Sequence, residues 1–183
     1  NILELGVTKT FISDTQGRLS FKLNAKKIRY WSTTDPYLHT VHLSTGNSKV
    51  NDQIGFRTIQ TRGADILING ESIFLKGISI HEESPIHDGR GHSAEDAKKL
   101  LEWAKELGCN YVRLAHYPHN ENMVRLADQM GILVWEENPV YWTIAWDNPE
   151  TFQNAKNQLA EVISRDKNRA SVIIWSMTNE TPT

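Results

Sequence analysis

From about residue 65 onward the chain alternates between two hydrophobic periods, and this constrains its fold more than any other feature. Short apolar runs, FLKGISIH, YVRLAH, ILVWEE and SVIIWSMT, are separated by longer stretches with apolar residues every three or four positions. In SAEDAKKLLEWAKELG, residues Ala97, Leu100, Leu101, Ala104 and Leu107 mark one helical face. Ser93 is placed to N-cap that helix with Asp96 as its capping-box partner, and Gly108 stops it. ENMVRLADQMG repeats the pattern with Met123, Leu126, Ala127 and Met130, ending at Gly131. Asn148-Pro149 caps and opens a third helix, whose inward residues are expected to be Phe152, Ala155, Leu159, Val162 and Ile163. Before the first strand, Asn69-Gly70 between apolar runs signals a hairpin. The order is βαβαβαβ with continuous apolar strands, the mark of a parallel sheet covered by helices.

Two α/β architectures satisfy this order, an open doubly wound sheet and a (β/α)8 barrel. A dinucleotide-binding sheet requires a glycine-rich turn after its first strand. Here that strand ends in Ile80-His81-Glu82-Glu83. Polar residues stand instead at the C-terminal ends of all the strands: His81 and Glu82, Arg113 and His116, Glu136 and Glu137, Asn179 and Glu180. Barrel enzymes place their chemistry on that rim. The sequence therefore predicts the first half of a (β/α)8 barrel over residues 61–183. Residues 1–60 read differently. YLHTVHLSTG alternates with a period of two, IGFRTIQTRG is β-branched and extended, and FISDTQGRLSFKLN resembles two short strands around Gln16-Gly17. This part is expected to belong to an antiparallel β-sandwich.

Composition narrows the function. The 183 residues carry a formal net charge of -2 with both signs mixed, and no basic block tracks phosphates, so neither nucleic acid nor an anionic membrane is an expected partner. No apolar run approaches the ~20 residues needed to span a bilayer, and NILELGVTKT lacks the pattern of a signal peptide. The compartment stays open, with a bacterial cytoplasm or periplasm as the expected setting. Cys109 is the single cysteine, read as packing, so no internal disulfide forms. Six tryptophans are many for this length, and large aromatics fill cores or wall ligand pockets.

Glu180 ends an apolar strand. Burial there would raise its pKa toward that of a general acid working near neutrality; the alternative is a carboxylate capping a following helix. Arg113 should point away from Val112 and Leu114, and a buried guanidinium needs a carboxylate, with Glu180 among the candidates. His116 and His119 flank Tyr117-Pro118 in the loop after the same strand. They could hydrogen-bond sugar hydroxyls or ligate a metal, although no third ligand stands at a characteristic spacing. Adjacent strand residues face opposite ways, so at most one of Glu136 and Glu137 faces the barrel axis. One of them is expected to pair with Arg113 or His81. Tyr141, Trp142 and Trp146 follow, either as stacking surfaces for sugar rings or as packing beneath a loop.

With these residues in place the chain resembles family 2 glycoside hydrolases, the group of β-galactosidases and β-glucuronidases. RYWSTTDPYLHTVHL followed by IGFRTIQTRGADILINGESIFLKGISIHEE is similar to the family's passage from an immunoglobulin-like sandwich, here residues 1–60, into the barrel. VRLAHYPHNENMVRLADQMGILVWEENP resembles the signature around its second and third barrel strands, and SRDKNRASVIIWSMTNE the signature that ends in the acid/base glutamate. The resemblance implies that Glu180 is the general acid/base and that Asn179 contacts the sugar 2-hydroxyl. It implies that Arg113 orients the active-site carboxylates, that His116 and His81 line the sugar subsite, and that Glu137 matches an acidic position after the third strand. Trp142 is expected to contact substrate. VYWTIAW lacks the Glu and His that hold magnesium in the large β-galactosidases, so no metal or other cofactor is expected. The family is retaining, which requires two carboxyl groups about 5–5.5 Å apart, and its nucleophile follows the seventh barrel strand, outside this chain. The expected function is hydrolysis of terminal β-D-galactosides, with β-D-glucuronides as the second choice. A homo-oligomer of the full-length protein is left open. Taken alone, the chain would be an inactive half-barrel that at best binds glycans.

Overall fold

A computed structural model describes residues 2, 5–26 and 28–182. Strands β1 (His39–Thr45) and β2 (Ser48–Ile54) form one antiparallel hairpin, and β3 (Ile59–Arg62), β4 (Asp65–Ile68) and β5 (Glu71–Ile73) form a second antiparallel sheet. Four parallel strands follow in spatial order: β6 (Gly77–Ile80), β7 (Tyr111–Leu114), β8 (Leu133–Glu137) and β9 (Val172–Ser176). Helices α1 (Ala94–Glu106), α2 (Glu121–Met130) and α3 (Pro149–Asp166) connect them. This is the first half of a (β/α)8 barrel.

Local chemistry sets the element ends. Ser93 accepts from the Asp96 amide while the Asp96 carboxylate accepts from the Ser93 amide, closing the capping box of α1. Asn148 caps α3 with Pro149 in its first turn. Gly131 ends α2 at φ 70, and a Cβ there would collide with the Thr33 carbonyl, so glycine is required twice over. Asn69 (φ 54) and Gly70 (φ 86) make the tight turn between β4 and β5. The Asn69 side chain also ties this turn to the chain before it, accepting from the Thr58 amide and donating to the Trp31 carbonyl.

Two apolar clusters hold the sheet, one on its outer face and one at the N-terminal ends of its strands. Val112, Leu114, Val134 and Val172 face outward and pack with Ala97, Leu101 and Ala104 of α1 and Met123, Val124 and Ala127 of α2. Trp31, Ile68, Leu133 and Ala170, with Tyr111 and Ile173 beside them, close the N-terminal ends of the strands. The C-terminal ends are left open.

Several expectations need correction. The segment around Gln16-Gly17 keeps its turn, with Asp14 accepting from the Gln16 and Arg18 amides, but forms no strand. A local turn needs only neighbouring side chains, whereas strands need partners, and none pairs with this segment among the described residues. Residues 1–58 contain one antiparallel hairpin, β1–β2, among the described residues. Gln60 and Thr61, on either side of the expected domain boundary, both pair with β4. Leu107 is 70% exposed because it is the C-cap of α1 and lies beyond the buried stripe. Phe152 is 53% exposed and meets Trp146 edge-on rather than joining the core.

Candidate active site

The pleat of β7 sends Val112 and Leu114 to the helices and Arg113 to the inner face. On β8 the same alternation puts Trp135 and Glu137 inside and Glu136 outside. A register shift between Val134 and Trp135 sets Glu137 opposite Ser176 of β9. Four side chains, carried by the C-terminal ends of three strands and the loops after them, then meet. Arg113 Nε donates to Glu137 Oε2 at 2.7 Å, and Nη2 lies 2.5 Å from the same oxygen. Arg113 Nη2 also donates to Asn179 Oδ1 at 2.5 Å. His116 Nδ1 sits 2.8 Å from Glu137 Oε1.

These contacts fix proton positions. A carboxylate only accepts, so His116 carries a proton on Nδ1, and in the neutral ring Nε2 remains an acceptor for an incoming hydroxyl. A guanidinium only donates, so Asn179 must turn Oδ1 toward Arg113, which leaves its NH2 to donate elsewhere. Glu137, 1% exposed, has both oxygens held by charge-assisted or ring N–H donors. That offsets the cost of burying the charge and makes the cluster rigid. The Arg113 guanidinium also lies 4.7 Å from the centre of the Trp135 ring, a further constraint on its plane.

Around this frame the mouth is aromatic. The His81 and His116 rings meet edge-on at 5.2 Å, Tyr141 lies 6.0 Å from His116, and Trp142 lies 5.5 Å from Tyr141. The loop after β8 is stitched to the tip of β9 by Asn138 N–Ser176 O (3.0 Å), Asn179 N–Val140 O (2.8 Å) and Trp142 N–Asn179 O (3.2 Å).

The sequence-predicted residues thus fall into two groups. Arg113, His116, Glu137 and Asn179 converge, with His81, Trp142 and Glu180 on the rim. Glu180, however, is exposed, so the burial expected of its carboxyl is not supplied by the described residues. Nor is it the partner of Arg113, whose guanidinium is directed at Glu137 and Asn179; Glu180 Oε2 accepts from Trp142 Nε1 at 3.2 Å instead. His119 does not join His116. It is buried with Nε2 donating to the Ala115 carbonyl, and burial lowers its pKa. Glu82 is structural, accepting from the Asn120 amide and from Arg90. Among the described residues no three His, Cys, Asp or Glu side chains are grouped to hold a metal ion. Sequence reasoning missed Trp135 as the surface beneath Arg113, although the alternation in ILVWEE already puts it on the face of Glu137.

The family model described as "Glycosyl hydrolases family 2, TIM barrel domain" matches residues 59–183. The chain belongs to glycoside hydrolase family 2. Among its family 2 relatives, a putative β-glucuronidase of Formosa agariphila is 35% identical over 92% of this chain and 21% of its own length. A β-galactosidase of Psychromonas ingrahamii is 31% identical, over 89% of this chain and 17% of that protein. The structure of a β-glucuronidase from Ruminococcus gnavus in complex with C6-substituted uronic isofagomine superposes with a TM-score of 0.78 at 33% identity, covering 87% of this chain and 29% of the other. The chain therefore spans less than a third of the length of these family 2 proteins.

Proposed function

We propose that this chain supplies the acid/base half of the active site of a retaining exo-β-glycosidase. The observation that carries the reading is the Arg113–Glu137–His116–Asn179 cluster at the C-terminal rim, with Glu180 beside it. In the first step Glu180 gives its proton to the departing glycosidic oxygen while a second carboxylate, from chain beyond this segment, attacks the anomeric carbon. In the second step the Glu180 carboxylate takes a proton from water, which releases the sugar. The Asn179 amide donates to a ring hydroxyl, His116 Nε2 accepts from another, and Arg113 holds Asn179 and Glu137 in register. His81 and Trp142 border the bound substrate.

For the sugar we favour a β-D-glucuronide over the β-D-galactoside that the sequence first suggested, because the relatives at 34–35% identity are named glucuronidases. The galactoside remains the second reading, supported by the relatives named β-galactosidases. In the same reading residues 1–58 end a preceding immunoglobulin-like domain, and the barrel domain starts with β3.

The test is Glu180→Gln in the full-length protein, assayed on aryl β-D-glucuronides and β-D-galactosides. We expect kcat/KM to fall by about 100-fold or more with poor leaving groups and far less with activated ones. Equal loss on both would remove the acid role. Failure of the unmodified protein to cleave either sugar would remove the substrate assignment.

A further inference from the structure

Trp142 borders the substrate in the glycosidase reading and has three further features. It is 63% exposed although large and apolar, its backbone is held at φ 59, and its indole nitrogen donates to Glu180 Oε2 at 3.2 Å. A left-handed conformation is unfavourable for a bulky residue and persists only where surrounding contacts impose it. Here two backbone contacts impose it. The Trp142 amide donates to the Asn179 carbonyl, and Tyr141 bridges to Asn179, so the tip of β9 places the tryptophan that in turn touches the next residue of that tip, Glu180. Glu180 itself sits at φ 49, past the end of β9.

We propose that Trp142 is a positioning residue for Glu180 and the platform for the leaving group, an inference that rests on the glycosidase reading above. An indole N–H can donate but not accept. In a protonated carboxyl the carbonyl oxygen is the stronger acceptor, so an Nε1–H on Oε2 favours the form with its proton on Oε1. In the first step that proton passes from Oε1 to the glycosidic oxygen as the C1–O bond breaks. The bonding pair stays with the departing oxygen, and the attacking carboxylate forms the new bond to C1. The carboxylate left behind keeps the indole donor on Oε2 and presents Oε1 to water for the second step. The leaving group departs beside Glu180, so an exposed ring bonded to Glu180 borders the aglycone, and its face offers a stacking surface to an aromatic or ring-shaped one.

Trp142→Phe keeps the ring face and removes the donor, whereas Trp142→Ala removes both. In the full-length protein, Trp142→Phe should lower kcat about tenfold on alkyl β-glycosides, which need the proton, and change it less than about twofold on nitrophenyl β-glycosides, with KM little altered. Trp142→Ala should add a rise in KM of about fivefold for aryl aglycones and none for methyl glycosides. A general structural defect would lower all substrates together, and equal loss across leaving groups in Trp142→Phe overturns the proposal. A second readout does not depend on turnover. With 5-fluorotryptophan incorporated, the resonance lost in Trp142→Phe should shift in Glu180→Gln. An unmoved resonance overturns the pairing even in an active enzyme. If the protein cleaves no β-glycoside, the glycosidase reading fails and the resonance alone decides whether Trp142 and Glu180 interact.

Discussion

Glu136 and Glu137 are neighbours on β8, equally buried at 1% exposure, and differ only in which side of the sheet they face. Glu137 faces the barrel interior and meets Arg113 and His116, one on each oxygen. Glu136 faces α3, where Arg165 Nη2 reaches one oxygen at 3.3 Å and the other oxygen has no hydrogen-bond partner among the described residues. Burial pushes the Glu136 carboxyl well above its ordinary range, the nearby Asp166 charge pushes it further, and Arg165 opposes the shift only in part. Arg165 is itself bound more closely to Asp166, at 2.6 Å. The pair teaches that burial alone does not decide whether a carboxyl keeps its charge. The number and directness of its donors do. The inner face gives Glu137 a donor on each oxygen; the outer face gives Glu136 a single distant one and a pKa that burial raises.

The strongest way to break this contrast is Glu137→Gln. It leaves the Arg113 charge without its partner and frees His116 and Asn179. We expect a loss of about 3 kcal/mol in unfolding free energy and a fall in kcat/KM of about 100-fold on the preferred β-glycoside, read by denaturant unfolding and steady-state kinetics on the full-length protein. Retention of activity within about threefold would mean that the cluster does not position the substrate-binding groups. Arg113→Lys should do less. A lysine keeps the charge but cannot serve Glu137 through two nitrogens and Asn179 at once, so kcat/KM should fall by about tenfold, with the Asn179 contact the part that is lost. If lysine matches arginine, the bidentate geometry is irrelevant and only charge counts.

Glu136→Gln is the gentlest change and has the opposite sign. A carboxyl whose pKa is raised in the folded state binds its proton more tightly there than in the unfolded chain. Its contribution to stability is therefore full at low pH and is lost as pH rises from the unfolded value near 4.5 toward the raised folded one. Glutamine has no such dependence. The variant should match the native protein near pH 4.5 and be more stable by about 1 kcal/mol at pH 8. Asp128, which burial pushes up to about 6, adds a slope of the same sign at lower pH that both proteins share. A variant less stable than the native protein at pH 8 would show that Glu136 is ionised and that its charge holds Arg165.

Much of this was legible along the chain. The capping box at Ser93 and Asp96, the stop at Gly131, the Asn69-Gly70 turn and the Asn148-Pro149 helix start all depend on residues a few positions apart. The alternation in ILVWEE correctly assigned the two glutamates to opposite faces, and the need of Arg113 for a carboxylate was equally plain. Which carboxylate was not. Glu137 lies 24 residues from Arg113 and Asn179 lies 66 away, and the pairing depends on how three strands register. A one-residue slip in any of them would exchange inner for outer side chains. The strands expected near Gln16 failed for the related reason that a strand exists only with a partner.

The sequence by itself determined the period of each segment, the ends of the helices, the β/α order and the set of polar residues carried to the strand tips, because these follow from local sterics and from burying one face. Only the tertiary structure decided that Glu137 rather than Glu136 or Glu180 holds Arg113, that His119 is a core side chain while His116 faces the mouth, and that Trp142 reaches Glu180. Those outcomes depend on the register shift between β8 and β9 and on the loop stitched to the tip of β9. Hydrogen bonds act over about 3 Å, so partners distant in sequence are chosen only once the sheet has brought them together.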